Sequence, residues 1–176
     1  MDDTQLSEQR RQKDHFFKAH PQSPLTPAQR AAFDGLRWYP PNPALDLTVT
    51  AEPFTEQTQV QVQTTGGTAQ TFTRWGQFTF EVDGQPARLT LFEADYGFFL
   101  PFVDSGAGTE TYPAGRYLEP KHLGGGRFHI DFNRAYNPYC AYNDGWTCPI
   151  TPPENRLAVA VRAGELLPAG AWLGLA

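Results

Sequence analysis

Asp83-Gly84 stands between two stretches of alternating apolar residues, Phe78, Phe80 and Val82 before it and Leu89 and Leu91 after it. A period of two places alternate side chains on one face of a strand. A two-residue Asp-Gly connection supplies the positive φ angles that a tight hairpin demands. The same logic applies upstream, where Gly66-Gly67 separates Val60 and Val62, each flanked by glutamines, from the run after Gln70. Leu45, Leu47 and Val49 alternate with Asp46, Thr48 and Thr50, and further strands are predicted over 98–102, 116–119, 127–133 and 156–162. The 16 glycines and 16 prolines make roughly 18 % of the chain against a usual share of about 12 %. Punctuation this dense excludes a coiled coil or a helix bundle. The prediction is an all-β domain over 36–176, an antiparallel barrel in preference to a sandwich, with about eight or nine short strands. Closure into a barrel removes exposed edges.

The first 35 residues read as a helical arm. Residues 5–19 are rich in Gln, Glu, Arg and Lys and carry Leu6, Phe16 and Phe17 as their apolar positions, which predicts an amphipathic helix docked through a phenylalanine. Thr26 followed by Pro27 reads as an N-cap with proline at the first helical position, so a short second helix is expected over 27–33. These one or two helices pack outside the sheet.

The formal charge of -5 and a pI near 5.3 argue against a nucleic-acid partner, since phosphate binding needs clustered Lys and Arg. Only three of the 14 basic residues are Lys; arginine's planar fork suits fixed, bidentate contacts. No apolar stretch approaches the roughly 18 residues of a membrane span, and the N-terminus has no signal-like apolar run. The expectation is a cytoplasmic protein with no membrane and no nucleic-acid partner. In a reducing compartment Cys140 and Cys148 read first as two thiols, with a disulfide across their short loop as the alternative.

The chemistry concentrates after Pro101, in a segment dense in Arg, Asp, Asn and Tyr but poor in apolar alternation. Such polar groups must pair with one another or with a ligand. Over 128–133, Phe128, Ile130 and Phe132 share the apolar face, leaving His129, Asp131 and Asn133 on the other at roughly 7 Å spacing, a row suited to a ligand groove, a hydrogen-bond ladder or a solvated face. Arg116 shares a face with Leu118, and a buried guanidinium takes a carboxylate partner or an anion; Asp131 and Asp104 are the carboxylates in view. Arg74, beside Trp75 and Gly76, fits a bulge or a site. The glycine loop 105–109 has the backbone for an anion cradle but lacks both the Lys of a phosphate loop and a following helix. Zinc has suitable ligand types in Cys140, Cys148, His122 and His129, without a recognised spacing.

The runs DSGAGTETYPAGRYL and DFNRAYNPYCAYNDGWTCP, with PPENRL and AGE behind them and SPLT and GLRWYPPNP ahead, resemble the bacterial and archaeal family known as domain of unknown function 1684. The resemblance extends from about Phe16 to Glu165. It implies one intact domain, marks 104–165 as the part that defines the family, and assigns no reaction, cofactor or partner.

The residues thus support three functional readings. The first is a small-molecule-binding protein or enzyme whose pocket, at one barrel end, takes a small anionic ligand. In it Arg116 and Arg74 anchor the anion, Asp131 is their partner or a general base, and Asn133, Tyr112 and Tyr136 orient the ligand; no cofactor is required. The second is a non-enzymatic structural or interaction module in which the same residues form an internal network. The third is a zinc site through Cys140 and Cys148, with His129 as a further ligand.

Overall fold

A computed structural model describes residues 3–170. The Asp-Gly hairpin forms as the alternation dictates: β4 (Ala69–Val82) and β5 (Gln85–Ala94) pair in register from Val82 opposite Gln85 to Phe78 opposite Leu89. Asp83 (φ 50°) and Gly84 (φ 75°) both take the left-handed conformation of the turn. β3 (Gln59–Gln63) folds onto the first half of β4 as the second predicted hairpin. The β4–β5 register slips between Arg74 and Gly76, which resolves the Arg74 region as a bulge. β2 (Glu52–Pro53) pairs with β4 there, and a Cβ on Gly76 would lie 2.4 Å from the Glu52 carbonyl oxygen, so only glycine lets the strands approach. β6 (Gly97–Phe102) and β7 (Arg116–Leu118) extend this larger sheet. The smaller sheet has β1 (Asp46–Thr50), β9 (Arg127–Asp131) and β8 (Lys121–Gly124), in the order β1-β9-β8.

The two antiparallel sheets do not close into a barrel, and the architecture is sandwich-like. The preference for a barrel is corrected at two corners. Ala51 alone separates β1 from β2, and Glu119-Pro120 separates β7 from β8; at each the chain crosses from one sheet to the other. Proline has no N–H with which to carry a ladder across. Between the sheets Phe78, Phe80, Leu89, Leu91, Leu100 and Phe102 pack against Leu45, Phe128, Ile130 and Phe132.

Two predicted strands also change. Residues 156–162 form no strand beyond an isolated bridge of Arg156 with Val103, because their backbone groups are taken elsewhere: Leu157 N–H donates to the Val103 carbonyl, the Val159 carbonyl accepts from Ser105 N–H, and Val161 N–H donates to Asp104. β9 stops at Asp131, whose carboxylate caps a 3-10 turn over Phe132–Arg134.

The arm forms two helices, α1 (Asp3–Ala19) and α2 (Pro27–Ala32), the latter opened by Thr26 in a reciprocal capping box with Gln29. α1 buries Leu6 and Phe17, and Phe17 packs with Leu25, Phe33 and Tyr142. Among the described residues no helix is long and apolar enough to cross a membrane.

Candidate functional site

Arg116 is 1 % exposed and opens β7 facing inward. Its carboxylate partner is Asp104, at 3.2 Å, and not Asp131. The remaining donors go to main-chain carbonyls of the 161–165 segment: Val161 at 2.8 Å, Glu165 at 3.0 Å, and Ala163. Asp104 in turn accepts from Thr111 Oγ1 at 2.5 Å and Val161 N–H at 2.8 Å. This is a closed internal network, and every group in it is spent on another. A charge this deep survives only because carboxylate and carbonyls replace its water. Gly115 precedes it at φ +100°, where a Cβ would meet the Phe102 carbonyl oxygen at 2.6 Å.

Arg74 does not converge with Arg116. It grips Glu154 through Nε and Nη2 at 2.7–3.1 Å and lies over the Phe54 ring at 3.8 Å. The glycine loop uses its amides internally: Ala107 N–H donates to Asp104, Thr109 N–H to Gly106, and Gly108 N–H to Thr111. The predicted row on β9 is broken by the turn. His129 reaches Asp46 at 2.6 Å, whereas Asp131 accepts from the backbone and side chain of Asn133 and from Arg134 Nε at 3.1 Å. With both oxygens so occupied, Asp131 organises a turn and is not placed as a free base.

The two thiols lie side by side as free cysteines. The Cys148 sulfur accepts the Cys140 backbone N–H at 3.4 Å. Tyr112 sits against Cys140, and burial followed by this contact pushes its hydroxyl up to about 12. His129 is held on the smaller sheet and His122 stacks on Phe128, so neither joins the cysteines. Among the described residues no group of three His, Cys, Asp or Glu is arranged to hold a metal.

Three openings line up along one flank of α1. A cleft of about 320 Å³ is lined by Gln9, Lys121, His129, Asp131 and Arg134. It shares Gln9 and Arg134 with a cavity of about 130 Å³ bounded by Arg10, Lys13, Trp38, Asn133 and Tyr136. Lys13 and Tyr136 lead on to an aromatic cleft of about 450 Å³ walled by Tyr117, Tyr136, Tyr139 and Trp146, with Cys148 beside them. Of the predicted residues, Asp131, Asn133 and Tyr136 therefore border this furrow, while Arg74, Arg116 and Tyr112 do not line it.

The furrow's other wall is residues that sequence reasoning passed over. Leu6, Arg10, Lys13 and Phe17 recur at helical spacing, a signal present in the sequence but read only for its apolar members. Leu6 and Phe17 anchor the helix, and the two cations between them turn toward the body. Lys13 pairs with the buried Glu165, which also accepts from Asn137 N–H and the Tyr142 hydroxyl, both at 2.7 Å. Arg10 lies over the Trp38 ring at 4.6 Å and donates to two neutral carbonyls, Tyr39 at 3.1 Å and Asn133 at 3.4 Å. Arg10 Nε and Trp38 Nε1 are both buried without an acceptor among the described residues. Burial draws the Arg10 pKa below its ordinary value, against the pull of Asp131 and Glu165.

An uncharacterised protein of Haloarcula marismortui, solved in solution by NMR, is similar to this chain at 36 % identity and a TM-score of 0.69, with 93 % of each chain covered. No curated protein matches the sequence. The profile of the family described as protein of unknown function (DUF1684) matches residues 31–166, and the chain belongs to that family.

Proposed function

We propose that this protein binds a small organic anion in the furrow along α1, with the acidic group at Arg10 and Trp38 and the body of the ligand in the aromatic cleft. One observation carries the reading: two buried donors, Arg10 Nε and Trp38 Nε1, have no acceptor among the described residues and belong to residues lining one 130 Å³ cavity. Buried polar groups are satisfied in nearly all native structures, so a site with two idle donors is built for an acceptor that arrives from outside. Charge agrees with this. Lys13 and Arg134 each have a carboxylate in contact, but the direct acceptors of Arg10 are neutral carbonyls. The neighbouring cleft offers Tyr136, Tyr139 and Trp146, rigid rings that suit a planar apolar body. The anion anchors thus move from Arg74 and Arg116 to α1, while Asn133, whose amide is spent on Asn42 and Asp131, and Tyr136, whose hydroxyl donates to Glu119, serve as walls and not as orienting groups. The reading assigns binding and no reaction.

Phenyl phosphate and inorganic phosphate serve as probes, followed by thermal shift and by titration calorimetry. Phenyl phosphate should raise Tm more than phosphate does, since a ligand stabilises by its affinity for the folded state, and Arg10→Gln should abolish both rises. If neither probe binds, the two donors are met by water alone and the reading fails. It fails equally if Arg10→Gln binds phenyl phosphate as the wild type does.

A further inference from the structure

Cys140 and Cys148 are separated by seven residues of a proline- and aromatic-rich loop, yet the fold returns the Cys148 side chain to the backbone of Cys140. The Cys148 sulfur lies 3.4 Å from the backbone nitrogen of Cys140 itself, so the two side chains start from adjoining positions. Each cysteine also borders an opening: Cys148 the aromatic cleft, and Cys140 a separate opening of about 340 Å³ with Thr26, Gln29 and Asp144. A pair of structural thiols buried for packing needs neither the mutual contact nor the two openings.

We propose that Cys148 and Cys140 form a peroxide-reactive dithiol, in which Cys148 is the attacking sulfur and Cys140 the resolving one. The assignment of roles follows from the donors. The Cys148 sulfur accepts the amide N–H of Cys140 at 3.4 Å, a contact that favours its thiolate. The neighbouring Cys140 thiol and its amide draw Cys148 down to about 7, while the proximity of Cys148 and burial hold Cys140 well above the ordinary thiol range. The Cys148 thiolate attacks one oxygen of hydrogen peroxide, the O–O bond breaks, and the departing hydroxide takes up a proton to leave as water. Cys148 is then a sulfenic acid. The Cys140 sulfur attacks the Cys148 sulfur, the S–O bond breaks, and the hydroxyl leaves with the Cys140 proton as a second water. Two thiols have been oxidised to one disulfide and one peroxide reduced to two waters. The inference is independent of any ligand in the furrow, because it uses only the two sulfurs and the amide that faces Cys148.

The test treats the reduced full-length chain with hydrogen peroxide and follows intact mass and free thiols. The wild type should lose two hydrogens and both titratable thiols, with the change confined to the single tryptic peptide 135–156 and reversed by dithiothreitol. In Cys140→Ser, dimedone should trap a sulfenic acid at Cys148. In Cys148→Ser, Cys140 should remain a thiol over the same period. Gain of oxygen without loss of two hydrogens in the wild type overturns the proposal, as does a peroxide-treated chain that keeps both thiols. A dimedone adduct at Cys140 forming as fast in Cys148→Ser overturns the assignment of roles. Should either variant fail to fold, the wild-type peptide mass decides alone.

Discussion

Arg116 shows how one side chain can organise a loop that has no ladder of its own. Its guanidinium collects three carbonyls from residues 161, 163 and 165 and the Asp104 carboxylate, so the turning 161–165 segment is held by a side chain in place of a neighbouring strand. Removing one partner of a buried ion pair leaves a stranded charge, at a cost of about 3–5 kcal/mol. Arg116→Met should therefore lower the unfolding free energy by about that amount in urea titration, and adding Asp104→Asn should recover part of the loss. A loss below about 1 kcal/mol would show that Asp104 and the carbonyls find other partners, and would remove Arg116 as the organiser. The sequence made the burial of this arginine legible, through its shared face with Leu118, and narrowed its partner to two aspartates. The choice between them rested on where β9 ended. Asp131 is consumed by its own turn, capping Asn133 and holding Arg134, before it can reach anything distant.

α1 is the element whose part was least legible. Its sequence announces helix and an apolar end at Phe16 and Phe17, and Phe17 does dock, edge-on to Tyr142 at 5.0 Å and to Tyr139 at 6.0 Å. The inward turn of Arg10 and Lys13 is not written locally, because nothing in a local window says that Glu165, 152 residues away, will meet Lys13. Phe17→Ala removes a fully buried ring, a change that costs about 3–5 kcal/mol in a core. Its effect belongs to the element: hydrogen exchange should show α1 amides losing protection before those of β4 and β5, and the Arg10-dependent binding of phenyl phosphate should weaken with it. If α1 keeps its protection in Phe17→Ala, Phe17 is not the anchor of the arm.

Across the whole molecule, features set by neighbours in sequence could be read from the chain alone. Asp83-Gly84 closes its hairpin because a two-residue turn admits few conformations, Thr26 caps α2 because its hydroxyl reaches an amide three residues on, and Phe128, Ile130 and Phe132 turn inward together because a strand and its continuing turn share one apolar side. What tertiary structure decided has long sequence separation in common. The sheets turn corners at Ala51 and Pro120 where closure was expected, the Cys148 side chain returns to the backbone of Cys140, and a furrow opens between α1 and the body. Period, turn chemistry and capping act over two to four residues and are therefore written locally. Partner choice for a buried charge, and the placement of a helix against a sheet, are settled by whichever distant groups compete best for the same few positions, and that competition exists only once the chain is folded.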